Sequence, residues 1–171
     1  IKISNDLAEF LIESKILSYF REYTDVLNKT LSGNVMIEDL GDTLPFLFWF
    51  GKVTNNEDYC KLVLDFSKKL VKKFQKEDGF FRTSSFEIYN FDKMTDLCLG
   101  LNLMYLLTKD DFYLLSSKKF FDAFYKLVSS KRGFIPYLHF KYLGVSLNFS
   151  SGKFGVYIEE LCNIYQLTNN K

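Results

Sequence analysis

The sequence predicts an all-α domain built from three consecutive helical hairpins. Three observations carry this: apolar residues recur at helical spacing over long stretches, only two prolines and nine glycines interrupt the 171 residues, and amphipathic segments alternate with wholly apolar ones. The length suits one hydrophobic core better than two, so residues 1–171 are expected to form a single domain. A hydrophobic content of 47%, with 19 Phe and 11 Tyr, argues against disorder.

The first predicted helix runs from Asn5 to Thr30, where Leu7, Phe10, Leu11, Ile16, Leu17, Phe20, Val26 and Leu27 follow a 3.6-residue period behind a Ser4 or Asn5 cap. The second fits Thr43 to Val53, with Asp42 as N-cap and Pro45 confined to the first turn, where a missing N–H costs little. Its body, "LPFLFWFG", is apolar all round and is expected to be buried on most sides, Trp49 included. The third spans Glu57 to Glu77. Asn56 caps it, Glu57 and Asp58 suit the positive end of its dipole, and its lysines gather on a solvated face. A fourth, nearly all apolar, covers Met94 to Thr108, and a fifth, amphipathic, Asp111 to Ser130. The sixth covers Val156 to Thr168. Alternation in "PYLHFKYLG" and "YLGVSLNF" predicts a short β-hairpin within residues 133–151.

The alternation of helix types reflects an internal repeat. Displacing the sequence by 54 residues places Asp42 on Asp96, Thr54 on Thr108, Tyr59 on Tyr113, Phe66 on Phe120 and Gly79-Phe80 on Gly133-Phe134. A further displacement of 60 places Leu101 on Leu161, Tyr105 on Tyr165 and Thr108 on Thr168. Each unit reads as an apolar helix, a tight junction, an amphipathic helix, a Gly-Phe turn and a connection. The glycine is expected to supply the left-handed residue that ends the amphipathic helix, and the aromatic to seal that end. The connections lengthen along the chain, from Gly33–Asp42 through Gly79–Asp96 to Gly133–Val156, all at one end of the hairpins. Unequal loops on a constant scaffold mark the end that carries function.

Inner apolar helices, outer amphipathic helices, two "GF" turns and the helix "DLGDTLPFLFWFG" together resemble the six-hairpin (α/α) toroid of glycosidases, polysaccharide lyases, sugar epimerases and terpenoid cyclases. The resemblance is architectural and spans residues 5–171. It implies a toroid-like arc with about half the hairpins of a closed ring: a fragment, an open arc, or half a ring completed by another chain. It also implies a carbohydrate-active, glycosidase- or lyase-like domain, with acids at inner-helix N-termini lining a cleft. The matching positions are Asp39, Asp42 and Asp96, with Glu159 and Glu160 on the third inner helix. Asp42 also reads as a cap, whereas Asp96 is harder to explain as one and is the stronger catalytic candidate. Tyr89, Tyr137, Arg82 and Trp49 are the candidate substrate-binding residues; the tyrosines could equally cover helix ends, and Trp49 could pack in the core. The competing reading is a non-catalytic helical scaffold that binds a protein partner or its own copy.

Other chemistries are excluded or weakened. The net charge of +1 supplies no field for nucleic acid or an anionic membrane, and no apolar run approaches the length of a membrane span. "SSGKFG" lacks the spacing of a phosphate-binding loop, and a zinc site would need His and Cys ligands converging, against which the single histidine, His139, argues, so no cofactor or metal is expected. The cysteines read as reduced packing residues, which with no visible signal peptide suggests the cytoplasm.

Overall fold

The computed structural model describes residues 40–81, 88–130, 138–140, 145–147 and 162–167. They are mostly helical, so the all-α class stands. The first predicted helix, Asn5 to Thr30, lies outside the described residues.

Helix α1 spans Leu40–Val53 and α2 Glu57–Phe74; α3 spans Phe91–Thr108 and α4 Asp111–Ser130. Residues 162–167 form a further helical stretch, α5, within the predicted sixth helix. Pro45, expected in the first turn, is the sixth residue of α1 and lies inside it, where its missing N–H leaves the Gly41 carbonyl without its i→i−4 bond, and Asn56 caps α2 by accepting a hydrogen bond from the Tyr59 N–H at 3.0 Å. Three predicted boundaries need correction. Helix α1 starts at Leu40, so Asp42 lies inside its first turn rather than at the cap. Helix α3 starts three residues before Met94, because Asn90 caps it by accepting from the Lys93 N–H. Helix α2 stops at Phe74, short of Glu77, where Gln75 turns to extended backbone.

The repeat is visible atom by atom at the two tight junctions. Thr54 Oγ1 donates to the Phe50 carbonyl at 2.9 Å, and Thr108 Oγ1 to the equivalent Met104 carbonyl at 2.7 Å. The next residue adopts left-handed backbone in both units, with φ 54° at Asn55 and 59° at Lys109. The one after accepts from the first turn of the following helix: Asn56 from Tyr59, Asp110 from the Phe112 N–H. Two sequences as unlike as "VTNNED" and "LTKDD" thus make the same turn.

Helices α1 and α3 pack against each other as one layer, and α2 and α4 cover them as a second, with α1 on α2 and α3 on α4 as hairpins. Contacts between α2 and α4 advance together along both chains. Ser67 Oγ meets Tyr113 Oη at 2.7 Å, Gln75 Nε2 donates to the Ser116 carbonyl at 2.7 Å, and Lys119 Nζ donates to the Lys76 carbonyl. The two helices therefore run parallel, and so do α1 and α3. The inner pair approaches closely because glycine faces backbone on both sides. A Cβ at Gly41 would collide with the Asp96 carbonyl, and one at Gly100 with the carbonyl of Gly41.

The "QKEDGFF" turn corrects a further expectation. Gly79 does have positive φ, 95°, yet it does not terminate α2. It sits in a chain reversal closed by a Gln75–Phe81 bridge and by Lys76 N–H to Phe80 O at 2.8 Å, pressed against α4 where a Cβ would lie 2.6 Å from the Lys119 carbonyl. Phe80 and Phe81 then enter the core, Phe80 packing its ring on Tyr89, Phe91 and Phe120. Ile164 of α5 joins the same core. Three short antiparallel strands, β1 (Ile88–Asn90), β2 (Leu138–Phe140) and β3 (Val145–Leu147), form a sheet in that order, with Tyr89 opposite His139. Strands β2 and β3 lie in the stretch read from sequence as a hairpin, and β1 runs straight into α3.

Candidate functional site

Acids at the inner-helix N-termini were the sequence-level candidates, and the backbone brings two of those positions together. The first turn of α1 abuts the second turn of α3, where Gly41 meets the carbonyl of Asp96. Positions 42 and 96, equivalent in the repeat, therefore occupy adjoining turns of parallel helices. Asp96 is half-buried. Of Asp42 the backbone alone is described, and Asp39, Arg82 and Tyr137 lie outside the described residues, as do Glu159 and Glu160. The β1–β2–β3 sheet stands at this same end, because β1 terminates at the Asn90 cap of α3.

Each acid position heads a stripe. Counting in helical steps from 42 along α1 gives Phe46, Trp49 and Val53; from 96 along α3 it gives Leu103, Leu106 and Leu107. All six apolar residues are between 38% and 44% exposed. This corrects the expectation that α1 is buried nearly all round and that Trp49 packs in the core. The opposite face does the burying: Leu44, Leu47, Phe48 and Phe50 are at most 5% exposed, as are Leu97, Leu101 and Met104 of α3. Phe46 and Trp49 lie ring to ring at 6.2 Å. Sequence could not separate the two faces, because a helix apolar all round has no polar side to mark which face is left over.

Tyr89 is 3% exposed, and its hydroxyl donates to Asp78 Oδ2 at 3.1 Å. Asp78 also accepts from the Phe80 N–H, so the tyrosine locks the "EDGFF" reversal onto the start of β1. Phe91, placed by sequence in a long connection, is the fully buried first residue of α3. The cysteines divide: Cys60 and Cys98 are buried as expected, but Cys162 is exposed.

Two further arrangements were not foreseen. One is the pair of polar links between the hairpins, Ser67 with Tyr113 and Lys68 with Asp110. The Lys68 ammonium, bonded to its carboxylate, holds Asp110 below the usual carboxylate range, helped by the Phe112 N–H, and Lys68 is raised in turn. Burial pushes the hydroxyls of Tyr59, up to about 12, and Tyr113 upward. The other is a cleft of about 460 Å³ bounded by the Glu77–Asp78 turn and by Leu115, Lys118, Lys119 and Lys126 of α4. It includes neither Asp96 nor any residue of α1, and its charges are largely engaged: Lys118 pairs with Asp122, and Lys119 with the Lys76 carbonyl. It is a solvated charged surface rather than a site with converging chemistry.

Among the described residues no cluster of three metal-ligating side chains occurs, and no helix is long and apolar enough to cross a membrane. Comparison with protein-family models, with curated proteins and with solved structures finds no match for this chain.

Proposed function

We propose that the chain is a toroid-like arc of helical hairpins with a carbohydrate-active, glycosidase- or lyase-like site at the N-terminal ends of its inner helices. The observation that carries this reading is the placement of positions 42 and 96 on adjoining turns, where the repeat delivers one acid per inner helix to the same end. Asp96 is the general acid, and Asp42, or Asp39 two residues before Gly41, is its basic or nucleophilic partner. A pair of this kind works when one carboxyl keeps its proton and the other does not, as neighbouring carboxyls enforce on each other.

The test is turnover on a panel of oligo- and polysaccharides, followed both as reducing-end release and as the ultraviolet absorbance of unsaturated products. Asp96→Asn is expected to lower kcat by about 10²–10⁴-fold, the usual contribution of a general acid or base, while leaving the far-ultraviolet spectrum unchanged. Absence of turnover in both assays, or equal rates for the variant and the parent, defeats the proposal.

A further inference from the structure

We propose that a second copy of this chain packs against the exposed face formed by Phe46, Trp49 and Val53 of α1 and Leu103, Leu106 and Leu107 of α3. The inference rests on this face and not on the acids above it.

The face is a single feature rather than six scattered exposures. Trp49 and Leu103 are equivalent in the repeat, as are Val53 and Leu107, so parallel helices present the same stripe side by side. At these exposures the six side chains leave on the order of 400 Å² of apolar surface, the size at which a patch on a monomer is commonly a binding surface. A stable dimer covers about 800 Å² per partner, with an apolar centre and a polar rim, and a centre of this extent fits that plan. Among the described residues, α2 and α4 cover the back of this layer, α1 and α3 each cover one flank of the other, and Ile164 of α5 enters the same core.

Self-packing follows from the chemistry of the face. Its one charge below positions 42 and 96, Lys52 at the repeat position of Leu106, is paired with Glu57 at 3.2 Å, so two copies meet without burying an unpaired ion. Its two ends differ, acid positions at the N-terminal end and leucine and valine at the C-terminal end. A twofold axis along the helices sets apolar on apolar and keeps the acid positions of both copies at one solvent-open rim. A perpendicular axis would press carboxylates onto Leu106 and Leu107, which costs desolvation with nothing returned. In the parallel arrangement each copy's acid positions stand across the rim from the other's, and a site at that end is shared between two chains.

Trp49 is the sole tryptophan, so its emission reports on this face alone. The expected result for the full chain is a dimer mass by light scattering, with blue-shifted emission that moves to the red on dilution as the dimer dissociates. Leu103→Glu, at an exposed position where folding tolerates it, is expected to weaken the dimer at least about tenfold while helical content is retained. A monomer with red emission at every concentration means the face is bare, and a monomer with blue emission means this chain's own residues cover it; either overturns the proposal. So does a dimer that Leu103→Glu leaves unchanged. Asp96→Asn is expected to leave the dimer mass untouched, which separates a failure of the site from a failure of the interface.

Discussion

Glycine in a helix interior ordinarily costs about 1 kcal/mol relative to alanine, yet Gly100 is what lets α3 touch α1. Its missing Cβ leaves room for the Gly41 carbonyl, and Gly41 in turn clears the carbonyl of Asp96. Gly100→Ala is therefore expected to destabilise the fold by about 2 kcal/mol despite its better helix propensity, measured as a lower urea midpoint. Tyr59 and Tyr113 show burial acting on protons. Both folded values are raised, so the unfolded chain releases these protons first. Stability is then complete below pH 10 and falls as the pH rises towards about 12, the value for folded Tyr59. Tyr59→Phe should flatten that alkaline slope in urea titrations repeated across this window, recovering on the order of 2 kcal/mol at its upper end.

At the level of elements, the tight junctions define the hairpins. Each combines a threonine bonded back to its helix, a left-handed residue, and an oxygen-bearing cap. Asn56→Ala is expected to cost about 1 kcal/mol of unfolding free energy, because the Tyr59 N–H loses its acceptor. At Lys109, with φ of 59°, a β-carbon is a burden: Lys109→Gly should be neutral or stabilising by up to about 1 kcal/mol, whereas Lys109→Val should destabilise, both read from thermal midpoints. These junctions were legible in the sequence, since Thr54 and Thr108 fell in register and Asn56 read as a cap. The helix ends at the longer connections were not. Helix α2 stops at Phe74 because Gln75 leaves the helix to bond across to Ser116, and that partner is 41 residues away. Gly79, read as a helix terminator, serves a turn wedged against α4 for the same reason.

For the molecule as a whole, the two layers assign every helix one face that is covered. The outer pair turns its lysines to solvent, as in Lys69 with Asp65 and Lys118 with Asp122, exposed pairs each worth a few tenths of a kcal/mol. The inner pair has little such polar surface, Lys52 paired with Glu57 being its charge at that end, and its second face is otherwise left apolar away from the acid positions. The two proposals meet on this layer but separate by experiment. Asp96→Asn bears on chemistry at one end of α3, and Leu103→Glu on association along its length. Loss of turnover in both variants would point to a site that needs two chains, while loss in Asp96→Asn alone would place the whole site within one.

The sequence by itself determined that the described residues form helices alternating in character and joined by the two tight junctions, because these depend on residues within a few turns of one another. Periodicity, caps and backbone preferences are local, and a single chain carries them in full. Only the tertiary structure decided which face of each inner helix is covered, why Gly41 and Gly100 are glycine, and that positions 42 and 96 share one end at adjoining turns. Those outcomes depend on which helix lies against which, and an apolar helix offers the same surface to every neighbour until packing chooses one.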